Sequence, residues 1–179
     1  MAYVGVLASE TMLTPRLEVR LPVEADRERF VQLFTDESFM VFSAGVLDSC
    51  SAHRRFDEML ERAAELPFAK QPVIERRTGS ILGYTGVNTF EFEGQRRLEY
   101  GYRLVPEARG KGYATEAGCA LLTVAPRTFS GEILAMIDPR NVPSQNVARK
   151  LGFEFWKQAV VGGFFDNLYR LQVPTASAS

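Results

Sequence analysis

The stretch "PEARGKGYATEA", Pro106 to Ala117, places two glycines and two cations in the five residues from Arg109 to Tyr113, directly ahead of an alanine-rich segment. A loop that only turns the chain manages with one glycine. Two of them let backbone N–H groups approach a ligand with no Cβ in the way. A helix that starts here leaves about four N–H groups unpaired and carries roughly half a positive charge. With Arg109 and Lys111 alongside, these features make a cradle for a pyrophosphate. Spacing then chooses among phosphate loops. GxxxxGK[ST] does not occur, and a dinucleotide fingerprint needs glycine where Thr115 stands. The pattern present is [Q/R]xxGx[G/A], carried by Arg109, Gly112 and Ala114.

Outward from this loop the chain alternates short strands and amphipathic helices. "RRLEYGYRLV" before it is a strand: Leu98, Tyr100, Tyr102 and Leu104 face one way, and Glu99, Gly101 and Arg103 the other. The helix after it runs to about Ala125, ended by Pro126. "GEILAMID" is a strand, and "VPSQNVARKLG" a short helix with Pro143 near its start and Gly152 as its stop. Two further strands form a hairpin across Gly162 and Gly163. Upstream, Leu17, Val19 and Leu21 alternate with charges in the strand Pro15 to Pro22. Phe30, Leu33 and Phe34 mark a first helix, and Phe56, Met59, Leu60 and Ala63 a second that Pro67 closes. Between these helices "DESFMVFSAGVLDSC" is an unusually apolar connection. From Gln71 to Phe92 a hairpin turns at Thr78-Gly79. The order β α α β β β α β α β β predicts one mixed α/β domain over residues 14–173, with a lead-in at 1–13 and a frayed tail at 174–179.

Composition narrows the function. With 179 residues and 46% apolar content the chain builds one domain with a real core. A net charge of −1 gives no global basic field for nucleic acid. Cys50 and Cys119 have no CxxC spacing, which argues against a zinc site or a disulfide framework and fits a reducing cytoplasm. His53, the one histidine, lies in a polar helix start and reads as solvated; no GxSxG elbow accompanies it. No apolar run approaches the ~20 residues of a membrane span. "MAYVGVLASE" lacks the basic region of a signal peptide.

The loop, its strand and the segment "NVPSQNVARKLGFEF", Asn141 to Phe155, together resemble the GCN5-related N-acetyltransferases (GNAT), in particular the RimJ/RimL-type branch, and "TPRLEVRLP" resembles that branch's first strand. The resemblance implies a central, mostly antiparallel twisted sheet, splayed at an acetyl-CoA site and flanked by about four helices. It implies acetyl-CoA as co-substrate, no metal, and direct transfer to an amine. That acceptor is a protein N-terminus or a small amine such as a polyamine, amino acid or antibiotic. It implies a monomer or homodimer. A GNAT module that binds acyl-CoA without turnover is the competing class.

The resemblance also assigns positions. Leu104 and Val105 offer backbone to the pantetheine arm, and Gly101 spares room on the strand. Arg109, Gly110, Lys111, Gly112, Tyr113 and Ala114 hold the pyrophosphate, Thr115 adds a hydroxyl, and Asn141 reaches the pantetheine amides. Lys111 reads equally as a solvated side chain. Glu99 is the candidate base, or else a partner of Arg97 or Arg103. Ser144 is the candidate donor of a proton to the departing thiolate, or else a hydroxyl that satisfies the helix start; Tyr100, Tyr102 and Tyr169 are substitutes. The acceptor pocket is expected between Phe39–Cys50 and Val161–Asp166. Phe39, Phe42, Phe164 and Phe165 are core or lining there. Asp36, Glu37, Asp48 and Asp166 attract a cation or are solvated.

Overall fold

The computed structural model describes residues 11–43, 45–66, 68–125 and 130–174. The elements run β1 (Met12–Leu13), β2 (Leu17–Val19), a 3-10 turn (Glu24–Asp26), α1 (Arg27–Phe34), α2 (Glu37–Met40), α3 (Ser49–Glu65), β3 (Gln71–Glu75), β4 (Ile81–Phe92) and β5 (Gln95–Leu104). A second 3-10 turn (Pro106–Ala108) leads to α4 (Tyr113–Val124), β6 (Gly131–Ile137), α5 (Val142–Lys150), β7 (Glu154–Val161) and β8 (Phe164–Val173). The expected order is present with two additions. Met12 and Leu13, placed by sequence in the lead-in, form a strand on β2. The apolar connection contains α2, because the Asp36 carboxylate accepts from the backbone N–H of Ser38 and Phe39 and caps one helical turn. Helices therefore number five among the described residues, against the four expected. Pro67, Pro126 and residues 175–179 lie outside the described residues.

All eight strands form one sheet in the order β1-β2-β3-β4-β5-β6-β8-β7. Neighbours are antiparallel except β5 and β6. Those two share only the register pairs Leu98↔Ile133 and Glu99↔Leu134. Beyond them β5 continues on β4 up to Gly83↔Leu104, and β6 continues on β8 up to Ile137↔Asn167. The sheet is thus split between Gly101–Leu104 and Ala135–Ile137, directly before the glycine loop.

The alternation along β5 sets what each face of the split meets. Leu98, Tyr100 and Leu104 are buried. Tyr100 lies 5.6 Å from the Phe153 ring, and α4 comes so close that a Cβ at Gly118 would stand 2.6 Å from the Tyr100 hydroxyl. Glycine inside a helix costs about 1 kcal/mol against alanine; here it admits the sheet. On the opposite face Tyr84, the register partner of Arg103, packs against Phe34 of α1 and Phe39 of α2. Phe30 of α1 stacks on Phe56 of α3 at 5.5 Å. Glu99, Gly101 and Arg103 therefore point toward the α1–α2 side.

Candidate active site

Gly112 sits at φ 82° as the N-terminal boundary residue of α4, in the left-handed region that favours glycine. No side chain caps this helix start, and the first intrahelical bond runs from Glu116 N–H to the Gly112 carbonyl. The N–H groups of Tyr113, Ala114 and Thr115 are the orphan donors of the first turn. The loop ahead of them is pinned from behind. Glu116 accepts from the Thr14 hydroxyl (2.6 Å) and from Arg16 Nε (2.7 Å), and Arg16 Nη1 donates to the Lys111 carbonyl at 2.9 Å. Burial opposes ionisation of Glu116, but the Thr14 and Arg16 donors win and hold its carboxyl below the usual range. The Arg16 guanidinium also lies 4.4 Å over the Tyr113 ring. This brace was not read from the sequence, where "TPR" signalled only the start of a strand.

From the helix start a cleft of about 1550 Å³ runs through the split in the sheet. Arg109, Gly110, Gly112, Tyr113, Ala114 and Thr115 line one end of it. Glu99, Gly101, Leu104, Asn141 and Ser144 line its walls, and Phe39, Phe42, Phe164, Phe165 and Asp166 also border it. Val105 and Lys111 do not line it. Val105 is buried, with its N–H donated to the Leu82 carbonyl at 2.8 Å, and the Lys111 side chain is exposed. The Arg109 side chain is committed to carbonyls, Leu104 at 3.0 Å through Nε and Ser38 at 2.6 Å through Nη2.

Several open alternatives resolve in these contacts. Asn141, not Ser144, caps α5: its side chain accepts from the Ser144 N–H at 3.2 Å. The Ser144 hydroxyl instead pairs with the Tyr102 hydroxyl at 3.1 Å, across the cleft from α5 to β5. Burial raises the Tyr102 pKa, so the phenol keeps its proton at neutral pH. Tyr100 is raised further by burial and is paired with the Thr85 hydroxyl at 3.0 Å. Tyr169 is held between Gln145 and Arg149. Arg97 pairs with Glu132 at 2.9 Å and Arg103 donates to the Met40 sulfur, so neither holds Glu99. Half-buried Glu99 has no hydrogen bond or ion pair among the described residues. Phe39 is fully buried and belongs to the core as well as the cleft, whereas Phe42, Phe164 and Phe165 are about half exposed at the rim. Asp36 and Asp48 cap α2 and α3.

Asp166 stays at the cleft without a partner among the described residues. Burial raises its pKa, and the nearby charges of Asp138 and Glu99 raise it further. A carboxyl raised in the folded state costs stability once ionised, so the cost is present at neutral pH and vanishes below the unfolded value of about 3.9. Asp166→Asn is therefore expected to melt above the wild type at pH 7. Its advantage should shrink as pH falls through the acid range and be gone by pH 3. Melting curves across that range check the sign; a variant that melts lower at pH 7 would show that the charge is stabilising.

Comparison with known proteins identifies the scaffold. The family described as "Acetyltransferase (GNAT) domain" matches residues 16–154. The chain belongs to this GNAT acetyltransferase family. A curated relative, the uncharacterised protein YkkB of Bacillus subtilis (strain 168), is 29% identical over 153 residues, covering 84% of this chain and 88% of that one. An acetyltransferase structure from Agrobacterium tumefaciens str. C58 superposes with a TM-score of 0.77 at 24% identity, over 96% of this chain and 99% of that one. A GNAT superfamily phosphinothricin acetyltransferase from Sinorhizobium meliloti, solved with acetyl-CoA, gives 0.68 at 18% identity, over 91% and 92%. At these identities the two structures speak for the fold. They share with this GNAT chain the mixed α/β architecture expected from its sequence.

Proposed function

We propose that this GNAT protein is an acetyl-CoA-dependent N-acetyltransferase that moves the acetyl group directly to a primary amine. One observation carries the reading: the split between β5 and β6 joins the uncapped start of α4 to Glu99 in a single cleft. A pyrophosphate fits the first end, where orphan N–H groups and a left-handed glycine meet. A long flexible arm fits the split, where β5 and β6 share no register pair beyond Glu99 and Leu134 among the described residues. Bound there, the co-substrate supplies an activated thioester.

The chain's own residues handle the protons. An α-amino group is roughly a tenth to a sixth neutral at pH 7, and a lysine about once in 2,500. Glu99 accepts the proton that the amine must lose, at a carboxylate engaged by no other described residue. The hydroxyl pair Tyr102–Ser144 stands at the split and returns a proton to the leaving sulfur, with the phenol kept protonated by burial. Gly112, Ala114 and Thr115 hold the phosphates through backbone N–H groups, Arg109 orders the loop through Leu104 and Ser38, and Asn141 keeps its amide N–H₂ for the arm.

Within this reading the acceptor is a protein N-terminus or a small amine such as a polyamine, an amino acid or an antibiotic. The unengaged carboxylate and the hydroxyl pair favour an enzyme over a sensing module, which needs neither. Thiol release measured with acetyl-CoA and an amine panel is expected to be amine-dependent. If acetyl-CoA raises the melting temperature but no amine releases thiol, the sensing module replaces this reading.

A further inference from the structure

Two cations on the acceptor side of the cleft lack the anions that the other part-buried cations among the described residues have. Arg20 is paired with Asp26, Arg27 with Glu24 and Asp57, and Arg97 with Glu132. Lys70 and Arg103 are also half-buried, and both line the cleft. Neither has a carboxylate within salt-bridge distance among the described residues. Lys70 Nζ lies 5.1 Å from the Tyr84 ring centre. Arg103 lies 5.9 Å from the Phe39 ring centre and donates to the Met40 sulfur at 3.0 Å. Aromatic faces and a thioether compensate a desolvated cation less well than an anion does.

Glu99 Oε1 and Lys70 Nζ each stand 3.5 Å from the point where a Cβ of Gly101 would be, yet they do not pair with each other. Their charges are therefore at most about 7 Å apart, across the room that the missing side chain leaves. Gly101 is not at positive φ, so its backbone does not demand glycine; what glycine contributes is space. Asp166 joins Glu99 on the anionic side. Lys70 and Arg103 against Glu99 and Asp166 sum to no net charge.

We propose that the acceptor carries a carboxylate beside its amine, held by Lys70 and Arg103 while the amine faces Glu99. Charge-assisted contacts take about 2.7–2.9 Å at each end. Within the available separation that leaves amine and acid only a few bonds apart, as in a free amino acid. A zwitterion, one carboxylate beside one ammonium, matches the balanced charges. A phosphate, with more negative charge, would meet Glu99 and Asp166 at close range. This inference rests on the N-acetyltransferase reading and gives it a substrate class.

The test compares free amino acids with their carboxamides, their decarboxylated amines and phosphoethanolamine, at fixed acetyl-CoA, by thiol release. At least one acid should exceed its own carboxamide and decarboxylated amine roughly tenfold or more in kcat/KM, the worth of a charged hydrogen bond. Lys70→Met should raise KM for that acid about tenfold and leave KM for its carboxamide within twofold. Arg103→Gln should do the same, so the proposal stays testable should one variant misfold. Carboxamides or plain amines that match the acids would overturn it, as would variants that impair acid and carboxamide alike. A preference for phosphoethanolamine would overturn the carboxylate. Should no amine be turned over, the transferase reading fails separately and the acid subsite is judged by binding: acids, not carboxamides, should add to the thermal shift of the coenzyme A complex, and the absence of that addition overturns it.

Discussion

Glu99→Gln is expected to lower kcat by ~10²–10⁴-fold, the usual worth of a positioned general base. The swap keeps size and hydrogen-bonding capacity but cannot take a proton. Its effect on stability should be small, since the wild-type carboxylate has no ion pair among the described residues to lose. Acetyl-CoA should still raise the melting temperature, because the loop from Arg109 to Thr115 is untouched. Higher pH should partly rescue turnover as solution supplies more neutral amine. These outcomes separate catalysis from a structural role, which would lower stability and leave the pH–rate profile in place. A Glu99→Gln protein with near-wild-type turnover at pH 6.5 would remove Glu99 as the base and leave Asp166 as the next carboxylate on the cleft.

The fold was legible because local and long-range signals agree at its centre. Period-two alternation in "RRLEYGYRLV" puts Tyr100 and Glu99 on opposite faces, and the structure shows which is which: Tyr100 packs against α4 and Phe153. The same alternation says nothing about where β5 leaves β6, since that depends on pairing between segments some 35 residues apart: Leu98 with Ile133. Only the resemblance to a family with a splayed sheet raised that expectation. The start of α4 could be read from glycines and spacing. The brace of Thr14, Arg16 and Glu116 could not, because it joins residues about 100 positions apart. Lys70 gave no signal at all: a lone lysine before "QPV" resembles any solvated charge until the fold sets it beside Gly101 and Glu99. Ser144 shows a subtler limit. As a hydroxyl near a helix start it read equally as a cap, and the neighbour that wins the cap, Asn141, is decided by backbone geometry.

The glycine loop and the α2 side of the cleft are mechanically joined. Arg109 spans from the Leu104 carbonyl on β5 to the Ser38 carbonyl on α2, and α2 carries Phe39, which packs on Tyr84. The end of the cleft at the start of α4 thus shares a side chain with the wall that bears Arg103 and Met40.

A negative charge introduced at Gly112 should abolish acetyl-CoA binding without loss of fold. Gly112 is at φ 82°, where asparagine and aspartate are the side chains best tolerated after glycine. The two are nearly the same size and differ by one negative charge. A Cβ at this position meets only Arg16 Nη2 at 3.4 Å, so both variants have room to fold, and a helix start favours the aspartate. The wild type should gain about 2.7 kcal/mol from acetyl-CoA at a hundred times its dissociation constant. Gly112→Asn should keep part of that gain. Gly112→Asp places a carboxylate beside the bound phosphates. One such pair of like charges about 5 Å apart costs ~3 kcal/mol at an effective dielectric near 20, enough to erase about nine-tenths of the gain. Thermal melts of both variants, with and without acetyl-CoA, give the comparison. The aspartate protein should melt normally alone and show almost no shift with acetyl-CoA, while the asparagine protein shows an intermediate one. Equal shifts in the aspartate, asparagine and glycine proteins would mean that the phosphates do not lie on this loop.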